Sequence, residues 1–198
     1  MPNMLRRQLR PAIVLTLVLC VVTGFVYPGI VTAAAQLLFR RQANGSMLVR
    51  GGRVIGSSLI GQSFAGEKYF HDRPSAAGAG YDATASGGTN KGPTDTKLAD
   101  TLIARAVDSV VAQDHGVRGQ IPSDMVTSSG SGLDPHISPA NAELQAARVA
   151  TARGMTVESV RAMVARYTQP RQFGVLGEAR VNVLELNLAI DSASGARR

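Results

Sequence analysis

From Ala12 to Phe39 the chain reads AIVLTLVLCVVTGFVYPGIVTAAAQLLF, without one charged side chain, between Arg6, Arg7 and Arg10 on one side and Arg40 and Arg41 on the other. As a helix this run would rise roughly 42 Å, more than the ~30 Å hydrocarbon core of a bilayer, so it can cross with tilt. A cleaved signal peptide fits less well, because its apolar region is only ~7 to 15 residues long. The small residues Ala33, Ala34 and Ala35 are all that favours cleavage. The organisation expected is a short N-terminal tail (1–11), a transmembrane helix (12–39) and one soluble domain (42–198).

Ala12, Thr16, Cys20, Thr23 with Gly24, and Tyr27 recur at three- and four-residue steps. On a helix they gather small and weakly polar groups into a stripe that another helix could approach closely, although small residues are common in any single-pass anchor. Pro28-Gly29 is expected to kink or loosen the helix, because proline removes a backbone donor and crowds the preceding turn. Arginines flank both ends, so the positive-inside bias does not orient the span. A short tail before it and a large domain after it favour the N-terminus inside.

The formal charge of +7 describes the membrane flanks: five of 21 basic residues lie in 1–41 with no acid, leaving 16 basic against 14 acidic residues. Such a balance gives no nucleic-acid-binding face. The single cysteine lies in the span, so no disulfide supports the domain.

The soluble part is sized for one core. LVRGGRVIGSSLIG, with apolar pairs around Gly51-Gly52, predicts a β-hairpin. From His71 to Pro93 the chain is mostly small and turn-forming, with Tyr81 its one aromatic; so long a loop is a candidate binding surface. Thr94 is expected to cap a helix reaching Asp114, stopped at His115-Gly116. Ser138-Pro139 starts a second helix that Gly154 ends, and Thr156 caps a third whose Val157, Val160, Val164 and Tyr167 share a face. Val181 to Leu186 reads as a strand before a short apolar tail. The fold class expected is α+β, helices packed on a small β-sheet.

The familiar signatures of phosphate loops, zinc proteases and dinucleotide folds are absent, and Gly87-Gly88-Thr89-Asn90-Lys91-Gly92-Pro93 lacks the lysine–hydroxyl pair a phosphate loop needs. The richest cluster is TSSGSGLDPHISP, residues 127–139. A membrane-tethered hydrolase could use Ser129 or Ser131 as nucleophile, His136 as base and Asp134 as orienting acid. Triad members, however, normally converge from separate segments, and Gly-Ser-Gly lacks the GxSxG elbow. A metal site from His71, Asp72, Asp134 and His136 lacks the spacing of a known ligand set. The plainer reading has Asp134 and Ser138 bracing a turn, with His136 bonded inside it.

TSSGSGLDPHISPANAELQAARVATARG, together with YFHDRPSAAG, YDATASGGTNKGPT and LGEARVNVLELNLAID, resembles the C-subunit (KdpC) family of Kdp-type potassium-transporting P-type ATPases, over nearly the whole chain and in the family's order. The resemblance implies an accessory subunit with no catalytic residue, no metal and no cofactor of its own. It implies a channel-like potassium-binding subunit, an ATP-hydrolysing P-type subunit and a small additional membrane subunit as partners, which handle ATP and potassium. It also implies a bacterial inner-membrane location, with the N-terminus cytoplasmic and the C-terminal domain periplasmic. The role implied is assembly of the complex and catalytic chaperoning that raises ATP affinity.

Partner contacts are expected on the motif segments: Tyr69, Phe70, Arg73 and Pro74; Ser86, Gly87, Gly88, Asn90, Gly92 and Pro93; Ser129, Gly130, Ser131, Gly132, Asp134, Pro135, His136, Ser138 and Pro139. Gln145 and Arg148, one turn apart on the following helix, are candidate anchors. The same positions could instead hold the domain's own fold. A near-neutral domain is unsuited to act as a strong cation funnel toward the channel.

Overall fold

The structure is a computed structural model that describes residues 2–116 and 118–195, and the side chains from Arg6 onward. It falls into two compact units, one ending at Met47 and one beginning at Leu48.

The first unit is a long helix followed by a short one. Helix α1 (Pro2–Val21) passes through a π-helical turn (Val22–Val26) into α2 (Tyr27–Leu38), and α3 (Arg40–Ala43) comes next. Arg6–Leu38 is long and apolar enough to cross a membrane, and its side chains are almost all exposed, as expected of a span whose surroundings are lipid. Helix begins well before Ala12, so the N-terminal tail is largely an extension of the span. The loosening expected at Pro28 appears just upstream of it. The Tyr27 N–H reaches back to the Val22 carbonyl, which widens the turn that the proline ring would otherwise crowd. One extra residue in that turn rotates the downstream helix face by roughly 100°. The stripe formed by Ala12, Thr16 and Cys20 therefore does not run straight on to Tyr27. Within the widened segment the Thr23 hydroxyl donates to Leu19 O at 2.7 Å.

The second unit is an α+β domain. Strands β1 (Met47–Arg50) and β2 (Arg53–Ser57) form the hairpin expected, turning through Gly51 and Gly52 at φ 57° and 76°, the left-handed values a tight two-residue turn requires. No strand or helix occurs between Ser57 and Thr96. The next helix opens with a π-helical segment (Lys97–Ile103) and continues as α4 (Ala104–Asp114), closed by His115 in the left-handed conformation. Its start is braced by Asp95, whose Oδ1 accepts from the Leu98 N–H at 3.1 Å, and not by Thr94 as expected. Asp95 is a preferred capping residue type, and its carboxylate reaches one of the first free N–H groups.

A 3₁₀ turn (Ser123–Met125) leads to β3 (His136–Ile137), then α5 (Pro139–Arg153), α6 (Val157–Tyr167), β4 (Thr168–Gln169), β5 (Arg180–Asn182) and α7 (Val183–Gly195). Ser138 Oγ accepts from Asn141 N, Gly154 closes α5 at φ 61°, and Thr156 Oγ1 caps α6, as the sequence predicts. The sheet is antiparallel with β5 central: His136 faces Asn182, and Thr168 faces Val181. The strand expected over Val181–Leu186 is only three residues long. Asn182 Oδ1 accepts from the Glu185 N–H at 3.0 Å and caps a helix where continued strand was expected. Helix α7 then buries Leu184, Leu186, Asn187 and Ile190. The core joins α5, α6, α7 and β5 through Val149, Val160, Val181, Leu186 and Ile190, with Phe70 inserted from the irregular segment.

Candidate functional site

The irregular chain between Ser57 and Thr96 meets the Thr127–Ile137 segment and α5 on one face, and polar side chains hold it there. Phe70 is wholly buried. Its N–H donates to Asn187 Oδ1 and its carbonyl accepts from Asn187 Nδ2, both at 2.9 Å. The next residue is held the same way from α5: His71 N–H donates to Gln145 Oε1 at 2.8 Å, and Gln145 Nε2 donates to His71 O at 3.0 Å. Two side-chain amides thus do for residues 70 and 71 what a neighbouring strand would do. Gln145 is itself oriented by Asn141 Oδ1 at 2.7 Å.

Arg148 extends this clamp. It pairs with Asp114 at 2.6 Å, both side chains nearly enclosed, and donates to the Glu67 and Tyr69 carbonyls at 2.8 and 2.9 Å. Arg153 donates to Lys68 O at 2.7 Å, pairs with Asp191 and lies 4.8 Å above the Tyr69 ring. Gln145 and Arg148, the candidate anchors, therefore direct these donors inside the domain.

The serine-rich segment is bound to the glycine-rich loop. Ser75 Oγ donates to Gly132 O at 2.6 Å, and Gly87 N–H and Ser86 Oγ both donate to Ser131 O, at 2.8 and 3.0 Å. Gly132 sits at φ 67°, where a Cβ would lie 2.5 Å from Gly87 O and 2.7 Å from Ala77 N; only glycine permits both the angle and the approach. At Gly88 a Cβ would lie 3.1 Å from Gly130 O, a tight but lesser approach. Tyr81 donates its hydroxyl to Arg73 O at 2.8 Å, so the one aromatic of the loop ties it back. Pro74 lines a cleft, Asn90 occupies the left-handed region, Gly92 O accepts from Asp95 N, and Pro93 lies in that turn. The Pro135 carbonyl accepts from Val183 N, and Ser138 and Pro139 open α5.

The hydroxyls of the supposed nucleophiles are engaged locally: Ser129 Oγ accepts from Gly132 N–H at 2.9 Å and Ser131 Oγ from Leu133 N–H at 3.1 Å. Neither is hydrogen-bonded to His136, among the described residues. His136 instead lies beside Asp134, Nδ1 to Oδ1 3.5 Å, and its N–H donates to the same oxygen at 3.0 Å. Arg73 Nη1 reaches the other Asp134 oxygen at 3.3 Å. Burial pushes the Asp134 carboxyl up, but the His136 hydrogen bonds and the His136 and Arg73 charges outweigh it and hold the acid below its ordinary range. The result is a braced turn. No three His, Cys, Asp or Glu side chains among the described residues form a group that could hold a metal ion. The His71 ring is drawn to Gly66 O at 3.0 Å, and burial, then Arg148, lowers its pKa.

A cleft of about 260 Å³ opens between α4 and this clamp, lined by His71, Asp72, Ser109, Gln113 and Asn141 among others. Asp72 stands out in it. Burial raises its pKa to about 7, the nearby Asp134 charge adding to this against one backbone donor, Gln62 N–H at 3.3 Å. Its Oδ1 is buried without a partner.

Two residues that matter here are not among the candidate site residues. Asp124 accepts from Ser138 N–H, Ser138 Oγ and Asn141 Nδ2, fixing the start of α5 from outside it. Asn187 is marked in the sequence only as a lone amide within LELNLAI, a polar residue on a helix face that the core then buries.

Comparison with known proteins adds the family. A model described as KdpC, the c chain of a K+-transporting ATPase, matches residues 9–192. The chain is 65% identical over 189 residues to the potassium-transporting ATPase KdpC subunit of Gemmatimonas aurantiaca, covering 95% of this chain and 94% of that protein. It is 56% identical to the same subunit of Rhodospirillum rubrum, covering 93% and 95%, and 51% identical to that of Mycobacterium tuberculosis, covering 94% and 99%.

Proposed function

The chain belongs to the K+-transporting ATPase c-chain family and is a membrane-bound subunit of such a pump, and on that premise we propose that it is a non-catalytic accessory subunit that stabilises the complex and raises the ATP affinity of its hydrolysing subunit. The observation that carries this reading is the use to which the motif residues are put. The Ser131 carbonyl, Asp134, Gln145 and Arg148 spend hydrogen bonds on joining three chain segments into one face, and the Ser129 and Ser131 hydroxyls are taken up inside the turn, which suits a docking body and leaves no activated nucleophile.

The partners are the channel-like potassium-binding subunit, the P-type subunit and a small additional membrane subunit, embedded in lipid of the bacterial inner membrane. The N-terminus is cytoplasmic and the domain beginning at Leu48 is periplasmic. ATP and potassium are handled by the partners, and this chain carries no cofactor. A domain on the far side of the membrane acts on ATP affinity by linkage: if it binds one pump conformation better than another, it shifts their balance without touching nucleotide. A tenfold change in affinity needs only about 1.4 kcal/mol of differential binding.

The test is potassium-stimulated ATP hydrolysis, titrated with ATP, by partner subunits purified with and without this chain. Omission is expected to cost assembly or raise the apparent KM for ATP. Unchanged composition and kinetics would overturn the proposal.

A further inference from the structure

The loop between β4 and β5 presents the two most exposed large apolar side chains described in the domain, Phe173 at 92% and Val175 at 73%, with Leu176 beside them at 55%. Single exposed apolar residues are ordinary; three within four positions at the tip of one loop are not. The loop is closed on itself. Gln172 and Leu176 exchange backbone hydrogen bonds at 2.9 Å each, Gly174 N–H donates to Arg171 O at 3.1 Å, and Arg171 pairs with Glu178 across the neck at 2.5 Å. Phe173 is held at φ 52°, with Gly174 and Gly177 at 77° and 72°. A bulky residue in the left-handed region is strained, and here the strain serves to present an aromatic ring to solvent.

Arg171 and Glu178 engage each other, which leaves Arg166 exposed and Arg180 half-buried, the latter in a cleft it shares with Arg73, Asp124 and Asp134. We infer that this knuckle is an insertion point for a partner subunit of the pump, seating Phe173, Val175 and Leu176 in an apolar socket edged by carboxylates. The inference rests on the accessory-subunit reading. A preset loop gives up little freedom on docking, and aromatic anchors with arginine beside them dominate interface energetics. A preset shape matches a shaped socket; a lipid surface adapts to any shape and would not require the strained backbone. The exposed Arg166 sets the sign of the charge expected opposite it.

The chain contains no tryptophan, so Phe173→Trp made with 5-hydroxytryptophan places one selectively excitable reporter at the tip, distinct from any tryptophan of the partners. The full chain is placed in nanodiscs of phosphatidylcholine and phosphatidylglycerol, alone or assembled with its partners, and quenched with acrylamide. Protection of about fivefold or more is expected only when the partners are present. Phe173→Asp is expected to weaken co-purification about tenfold while the melting temperature is retained. Protection by the nanodisc alone would assign the tip to lipid and overturn the inference. Protection that rises with the chain's own concentration without partners would assign it to a second copy, with the same consequence. Equal quenching in a complex that does co-purify would overturn this surface alone, whereas failure of the unmodified chain to co-purify would remove the accessory reading beneath it.

Discussion

The buried carboxyl of Asp72 should make the domain less stable as pH rises, and Asp72→Asn should abolish that slope. Its pKa is about 7 in the fold, raised by burial first and then by Asp134, against about 4 in an unfolded chain. Between those values the folded state holds a proton that the unfolded state has released, so stability falls as pH climbs and levels off above the folded pKa. From pH 5 to pH 8 the loss is about two pKa units, or about 3 kcal/mol. For a domain of this size that corresponds to roughly 6 to 12 °C in Tm. His71 acts in the opposite sense, because its pKa is lowered by burial and then by Arg148; below its ordinary pKa the unfolded chain binds the extra proton, and stability rises with pH there. Since both proteins keep His71, the difference between their melting curves isolates Asp72. The full chain in detergent would be melted by circular dichroism at pH 5, 6, 7 and 8, with and without the substitution. Asparagine still offers an oxygen to Gln62 N–H, so the comparison removes the charge and keeps that acceptor. Parallel slopes for the two proteins would refute the argument.

Two further substitutions separate packing from surface. Gly132→Ala should destabilise the domain by about 3 kcal/mol or more, since its Cβ would meet Gly87 O at 2.5 Å at a positive φ. Gly130→Ala, two residues away with nothing within 4 Å of its Cβ, should change the denaturant midpoint by under about 1 kcal/mol; equal effects would contradict the close approach. Arg148→Ala should cost about 3 to 5 kcal/mol in chemical unfolding because it leaves Asp114 charged and enclosed at 4% side-chain exposure, and Arg148→Ala combined with Asp114→Asn should recover part of that loss.

What the sequence made legible was local chemistry. Gly51-Gly52, Ser138-Pro139 with Gly154, and Thr156 each act within a few residues, and each forms the turn or helix end predicted. Val181 and Val183 alternate as a strand would, but Asn182 turns the chain into a helix there, and only the packing of α7 against β5 and α6 decides between the two. Asp95 rather than Thr94 braces its helix; both are good capping types, so residue type alone does not tell the two neighbours apart. The motif segments are recognisable one by one, yet nothing in their spacing shows that Ser86 and Gly87 meet Ser131, or that Gln145 clasps His71. Such pairings come from the whole fold. The knuckle at Phe173 carries no sequence signal, because an apolar residue in a short loop reads as ordinary until its exposure is known.

The clasp between Phe70 and Asn187 spans 117 residues, and Ser58 waits similarly on Asn182. A ribosome delivers the chain in order, so the long irregular front of the domain emerges well before the helix that fastens it. Until α7 arrives, residues 58–95 form a newly made segment without strand or helix, whose Phe70 backbone still lacks its Asn187 partner. A product cut short before Asn187 would thus leave the Phe70 backbone without the amide that holds it, even with α5 and the 127–137 segment already in place around its neighbours.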